Sequence, residues 1–89
     1  MWYYVYILLS EKDKNFYVGF RNDIKERIKD HQSGKVKSTK SRLPVKLIFH
    51  ESYLNKYDAL RRERYLKTSK GRTTLKSMLK EYLKNLINV

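Results

Sequence analysis

The sequence predicts an α/β domain of the α+β kind: a small, mainly antiparallel three-stranded sheet flanked by helices, in the order β-β-α-β-α-α. Three observations predict it. The chain opens on Trp2–Leu9, a run of aromatic and aliphatic residues that is apolar on both faces and so suits a central strand. A second strand-like run, Phe16–Phe20, returns after a short polar stretch, which closes a hairpin. Toward the end, Leu75, Met78, Leu79, Tyr82, Leu83 and Leu86 recur at helical spacing.

The elements follow in order. Ser10–Asn15 is the polar turn of the hairpin. In "NDIKERIKDHQSG" Asp23 caps a first helix, Glu26 stands three residues on as its capping-box partner, and Gly34 ends it. "KVKSTKSRLP" is a basic segment closed by the only proline. Val45–Ser52 is the third strand. "NKYDALRRERYLKTSKG" reads as a helix with Asn55 as cap and Gly71 as stop, and residues 73–89 as a last helix that lids the core, with a dimer seam as its other use. One domain spanning residues 1–89, a monomer, is expected.

Composition narrows the function. Lys and Arg number 21 against 9 Asp and Glu, a net charge of +12, which calls for a polyanionic partner, nucleic acid above all. No helix joins a Trp/Phe-rich face to a basic one, so a membrane surface is not expected. Without cysteine there is no disulfide, thiolate metal site or cysteine nucleophile, and two histidines alone argue against structural zinc. The Trp2–Leu9 run is too short for a leader or a membrane span, so the expected location is cytoplasmic.

Three places break the apolar pattern. Gly19 interrupts a strand, where glycine marks a bulge or the close approach of a backbone or ligand. On the first helix, Arg27 and His31 share the face set by Ile24 and Ile28, one turn apart. The plain reading is a snorkelling arginine and a half-exposed histidine; the other is a cationic ledge beside the sheet. On the second helix, with Ala59 at 0°, Glu63 falls at about 40°, inside the apolar arc. A carboxylate there needs a cation, either a metal or an arginine of this chain. Eight tyrosines are mostly packing residues. Alternation puts Tyr4, Tyr6 and Leu8 on one side and pairs Tyr17 with Gly19, but leaves open whether Tyr6 and Tyr17 face the same way.

"YVYIL" at residues 4–8 and "FYVGF" at 16–20 resemble the two halves of the signature of the GIY-YIG nuclease superfamily. Val5-Tyr6 falls on its Ile-Tyr and Tyr17-Val18-Gly19 on its Tyr-Ile-Gly. "NDIKERIKDHQSGK" is similar to the family's first helix, with its arginine on Arg27 and its frequent histidine on His31. "LPVKLIFHE" is similar to the third strand, and "ALRRERYLK" to the helix bearing the metal-binding glutamate, here Glu63. The resemblance covers nearly the whole chain and is nearest to small stand-alone bacterial members, while "KTSKGR" is similar to a stretch in structure-specific junction nucleases. Tyr4 replaces the signature's opening glycine, and a late asparagine has no matched counterpart in Asn85 or Asn88.

The resemblance implies hydrolysis of DNA phosphodiesters with one divalent cation, Mg²⁺ or Mn²⁺, as in repair or recombination; RNA stays open as a substrate. It implies Glu63 as metal ligand, Arg27 as phosphate clamp, Tyr6 as general base, Tyr17 as its orienting partner and His31 as proton relay. Gly19 would let the scissile phosphate lie against the strand. Lys35, Lys37, Lys40 and Arg42, with the hydroxyls of Ser38, Thr39 and Ser41, would hold phosphates without reading sequence, and Lys70 and Arg72 would extend that track. The competing reading is a non-catalytic nucleic-acid-binding module that keeps the nuclease fold.

Overall fold

The computed structural model describes residues 1–87. Its three strands are β1 (Tyr3–Ser10), β2 (Phe16–Arg21) and β3 (Val45–Tyr53), paired antiparallel in the order β2-β1-β3. β1 is central, as its two-sided apolar run requires: Val5, Tyr6, Ile7 and Leu8 are all buried. In the hairpin turn the Ser10 hydroxyl accepts from the Lys12 and Asp13 amides, both at 3.2 Å, and donates to the Arg42 carbonyl at 2.6 Å.

The register settles which side chains share a face. Tyr6 stands opposite Gly19 on β2 and His50 on β3, and Leu8 stands opposite Tyr17. Tyr4, Tyr6, Tyr17, Gly19, Arg21, His50 and Ser52 therefore lie on one face, because directly opposed residues point the same way. The β1–β3 pairing slips by one residue between Ile7 and Leu8, a bulge next to Tyr6.

Helices cover both faces. α1 (Ile24–Gln32) and the one-turn α2 (Lys37–Lys40) lie on the Tyr6 face, where Ile24, Ile28, Leu43 and Leu47 pack around Tyr6, Leu8 and Val45. Asp23 caps α1 by accepting from the Glu26 amide, and Gly34 ends it at a φ of 81°. On the opposite face α3 (Lys56–Leu66) and α4 (Ser69–Met78) bring Ala59, Leu66 and Leu75 onto Val5, Ile7, Leu9, Phe16 and Val18, and α5 (Lys80–Ile87) adds Tyr82 and Leu83. No helix among the described residues is long and apolar enough to cross a membrane.

The predicted order holds, with three local differences. α2 forms inside the basic segment, where no helix was expected, because Val36 and Thr39 are buried there and pull one turn into helix. α3 stops at Leu66, and Thr68 caps α4 by accepting from the Gly71 amide at 3.0 Å. Gly71 thus lies inside α4 and is no stop: a Cβ there would overlap the Tyr65 carbonyl and the Leu66 backbone. The stripe of the last helix is shared between α4 and α5. Leu75, Leu79, Tyr82 and Leu83 meet the core, whereas Met78 and Leu86 stay exposed. Residues 88 and 89, Asn88 among them, lie outside the described residues.

Candidate active site

Four of the expected site residues converge on the α1 side of the sheet. Tyr6 is buried at the centre of β1, and its hydroxyl sits 2.9 Å from His31 Nε2. The Tyr17 and His31 ring centroids are 5.0 Å apart, those of Tyr6 and His31 5.7 Å, and those of Tyr6 and Tyr17 6.4 Å. Arg27 lies one turn before His31 on α1, with its guanidinium beside both phenols. The capped start of α1 and its Gly34 stop fix which turn faces the sheet, so one short helix delivers both groups.

His31 differs from the half-exposed residue of the plain reading. It is fully buried, and its second nitrogen, Nδ1, is held at 2.8 Å by the Thr39 hydroxyl. Burial, followed by the Arg27 charge, pushes its pKa down to about 4. The imidazole is therefore neutral at pH 7 and carries one N–H. With that proton on Nδ1, donated to Thr39 Oγ1, Nε2 accepts from the Tyr6 hydroxyl. The result is a directed chain, Tyr6 to His31 to Thr39.

Burial also raises the Tyr6 pKa above the ordinary phenol value, against the opposing pull of Arg27. Tyr6 is thus a neutral phenol here. Arg27 shows the reverse balance. Desolvation works against its charge, but the Tyr6 and Tyr17 phenols more than offset that and leave its pKa raised. Its Nε is buried without a hydrogen-bond partner. A buried donor left unpaired costs about 1–3 kcal/mol, more when charged. An anion bound here would remove that cost.

Gly19 corrects an expectation. The space that its missing side chain leaves is filled by Tyr6: a Cβ at position 19 would overlap the end of the phenol ring, 2.6 Å from Cε2. The close approach is by an aromatic ring of the chain itself, not by a bare strand open to a phosphate.

Glu63 is paired within its own helix. It projects from α3, whose core contacts lie on the other face of the sheet, and its carboxylate pairs with Lys67 Nζ at 3.2 Å. The expected intrachain partner was an arginine; the observed one is a lysine one turn on, 55% exposed against 16% for Glu63. Among the described residues no three His, Cys, Asp or Glu side chains gather at one point. A lone, half-buried carboxylate still fits Mg²⁺, which is commonly held by one or two carboxylates, with water and substrate oxygens completing the shell.

The expected phosphate track divides. Lys35, Lys37 and Lys40 are exposed around α2, as are Ser38 and Ser41. Thr39 is buried on His31, so its hydroxyl is turned inward, away from any bound strand. The Arg42 guanidinium is committed to Asp13 at 2.8 Å and to the Asn15 and Phe16 carbonyls at 3.1 and 3.3 Å, where it ties the hairpin turn to the segment after α2. Lys70 and Arg72 are exposed on α4, which packs on the other face. Sequence reasoning missed Arg21, whose charge acts on both Tyr6 and His31. The signal was present: Tyr17, Gly19 and Arg21 alternate onto one face.

A profile described as the GIY-YIG catalytic domain matches residues 2–76. The chain belongs to the GIY-YIG family. Its relatives include a UPF0213 protein of Lacticaseibacillus paracasei, 46% identical over 66 residues that cover 73% of each chain. Another, from Limosilactobacillus reuteri, is 40% identical over 80 residues covering 86% of this chain and 82% of the relative. Among solved structures, the solution NMR structure of a Bacillus halodurans UPF0213 protein aligns with a TM-score of 0.56 at 37% identity, over 88% of this chain and 85% of that one. The fold is thus that of a nuclease family, and the matched residues include Tyr6, Tyr17, Arg27, His31 and Glu63.

Proposed function

We propose that the protein is a divalent-metal-dependent endonuclease that hydrolyses phosphodiester bonds in DNA, with a role in repair or recombination. The observation that carries this reading is Arg27: a cation held between two phenols, with a buried nitrogen unpaired, next to a tyrosine linked to a neutral histidine. That combination provides an anion clamp and a proton acceptor at one place.

In this mechanism Arg27 binds two oxygens of the scissile phosphate and offsets the charge that grows in the transition state. Tyr6 Oη takes the proton of the attacking water, and Tyr17 orients that water. His31 Nε2 accepts from Tyr6 and spreads the proton toward Thr39. At pH 7 an ordinary phenol near pKa 10 requires about 4 kcal/mol to ionise, and the raised value of Tyr6 adds to that. Protonating His31 from a pKa of about 4 costs a similar amount, about 4 kcal/mol. For an ordinary phenol, full transfer of its proton to His31 therefore costs the sum, about 8 kcal/mol, so the relay depends on the Arg27 and Arg21 charges, which favour the phenolate. Glu63 would hold a Mg²⁺ or Mn²⁺ ion, which acts as a Lewis acid on the phosphate when bound. Exposed Lys35, Lys37 and Lys40 would position the strand through its phosphates.

The Glu63–Lys67 contact favours the second reading, a nucleic-acid-binding module without catalysis. Its strength does not decide the matter, because a partly exposed i,i+4 pair is worth only about 0.3–0.5 kcal/mol. A divalent cation displaces such a lysine readily. The deciding experiment is a panel of labelled nicked, branched, single-stranded and duplex DNAs, with an RNA counterpart, incubated with Mg²⁺ or Mn²⁺. Cleavage that disappears in Glu63→Ala while binding survives is the expected result. Binding without cleavage in the unmodified protein would leave only the second reading.

A further inference from the structure

The sheet face that carries Tyr6 is only partly covered. α1 and the segment around α2 pack over its Leu8–Tyr17 end. Beyond Tyr6, toward the other end of the same face, stand Tyr4, Arg21, His50 and Ser52. Tyr4 is opposite Arg21 on β2 and Ser52 on β3, and His50 is opposite Tyr6. Arg21, His50 and Ser52 are exposed, and Tyr4 is partly so. The Tyr4 and His50 rings meet edge to face, with centroids 5.9 Å apart and planes at 73°.

Nothing in the core accounts for this group. An aromatic pair across a sheet contributes mainly by leaving water. This pair stays partly in water, with His50 exposed and Tyr4 half-buried, beside a cation, and continues the face of the buried phenol. Tyr4 also replaces the glycine of the family signature, so a ring occupies a position that the signature leaves bare. A ring pair flanked by an arginine, on a protein of charge +12, has the makeup of a surface that stacks a base and holds its phosphate.

We propose that Tyr4 and His50, with Arg21, hold an unpaired nucleotide next to the phosphodiester to be cut, so that the substrate class is nucleic acid with unstacked bases at the cleavage point rather than continuous duplex. The inference rests on the nuclease reading above and specifies its substrate. In duplex the base faces are hidden against their neighbours. A base must leave the stack before a protein ring can meet it, and an already unpaired base makes that step least costly. Stacking tolerates every base, because each has a π-face. Arg21 contacts phosphate, which carries no sequence information. The site therefore selects by structure and not by sequence.

Binding tests this separately from catalysis. The probes are two oligonucleotide duplexes of equal length, one with a short single-stranded flap carrying 2-aminopurine at its base and one fully paired, titrated with the full chain at physiological salt without Mg²⁺. The flapped probe is expected to bind about tenfold more tightly, with a change in 2-aminopurine emission on stacking. Tyr4→Leu, which keeps an apolar side chain but no ring, is expected to abolish both the preference and the emission change, and Tyr4→Phe to retain them. His50→Ala is expected to reduce the preference severalfold. Equal affinities in the unmodified protein overturn the proposal, as does a preference that survives in Tyr4→Leu. Cleavage of the flapped probe on adding Mg²⁺ is scored in parallel. A preference without cleavage supports the stacking site and overturns the hydrolase reading alone.

Discussion

The two faces of the sheet each hold a half-buried arginine, and the two arginines are provided for differently. On the α3 side Arg62 meets Glu51 with two hydrogen bonds, at 2.9 and 3.1 Å, and the Tyr53 hydroxyl donates to the same carboxylate at 2.7 Å. Burial and that carboxylate push the Tyr53 phenol up to about 12, so this group stays a neutral donor at any working pH. On the α1 side Arg27 has phenols for neighbours and an unpaired Nε. One arginine finds its anion within the chain. The other has a cation's surroundings and lacks the anion. A fold that pairs the first so completely leaves the second unpaired, which is what the proposed binding of an external anion at Arg27 calls for.

Exchanging the two effects is the strongest way to break that contrast. Arg27→Ala is expected to lower kcat by roughly 10²–10³-fold, the range seen when one charge-stabilising donor is removed, with little change in the urea midpoint. Arg62→Ala should do the opposite: it leaves the half-buried Glu51 carboxylate without its cation and with only the Tyr53 hydroxyl as donor, which lowers stability by about 1–3 kcal/mol while kcat per folded molecule holds. Equal losses of activity in both variants would erase the distinction between the faces.

Proton chemistry sharpens the site face further. Because burial raises the Tyr6 pKa, the fraction of phenolate rises about tenfold per pH unit below that value. The cleavage rate is expected to climb from pH 7 to pH 9. A flat profile over that interval removes Tyr6 as the base.

His31 supplies a stability readout without substrate. Its folded pKa, about 4, lies below the ordinary 6.5. The unfolded state therefore binds more protons between those values, and the contribution of neutral His31 is complete above pH 6.5 and lost as the pH falls toward 4. The expected loss is about 3 kcal/mol, read as the difference in urea midpoints at pH 7 and pH 4. His31→Gln should flatten that part of the curve. The smallest effect concerns Thr39→Val, which removes a hydroxyl and leaves His31 Nδ1 unpaired. It should lower stability by about 1–2 kcal/mol and leave nucleic-acid affinity unchanged, since the hydroxyl faces inward. A tenfold loss of affinity would return Thr39 to the phosphate track.

The contrast between the faces also explains what the sequence disclosed. Strand β1 was legible because an apolar run on both faces has no place but the centre of a sheet. Arg27, His31 and Glu63 were legible as polar residues on apolar arcs. The convergence of Tyr6 with Tyr17 was not, because alternation fixes sides within a strand while the hairpin register depends on how the turn closes. Thr39 and Arg42 sit in a basic, hydroxyl-rich segment, where composition alone cannot separate a residue that turns inward from one that meets a phosphate. A four-residue helix such as α2 falls below the window in which periodicity registers. Gly71 comes after the last apolar residue of the helical pattern, Leu66, and a short polar stretch, in the manner of a helix stop. Only the approach of α4 to the end of α3 shows that it serves contact between two backbones.

The interlock of Tyr6 with the vacant side of Gly19 makes the two positions one unit of volume. Enlarging residue 19 evicts the phenol, while trimming residue 6 leaves a hole beneath the strand. Changing both together, Gly19→Ala with Tyr6→Leu, conserves bulk and discards the hydroxyl. That double variant would be a quiet, well-filled decoy, suited to capturing nucleic acid on the surface without altering it.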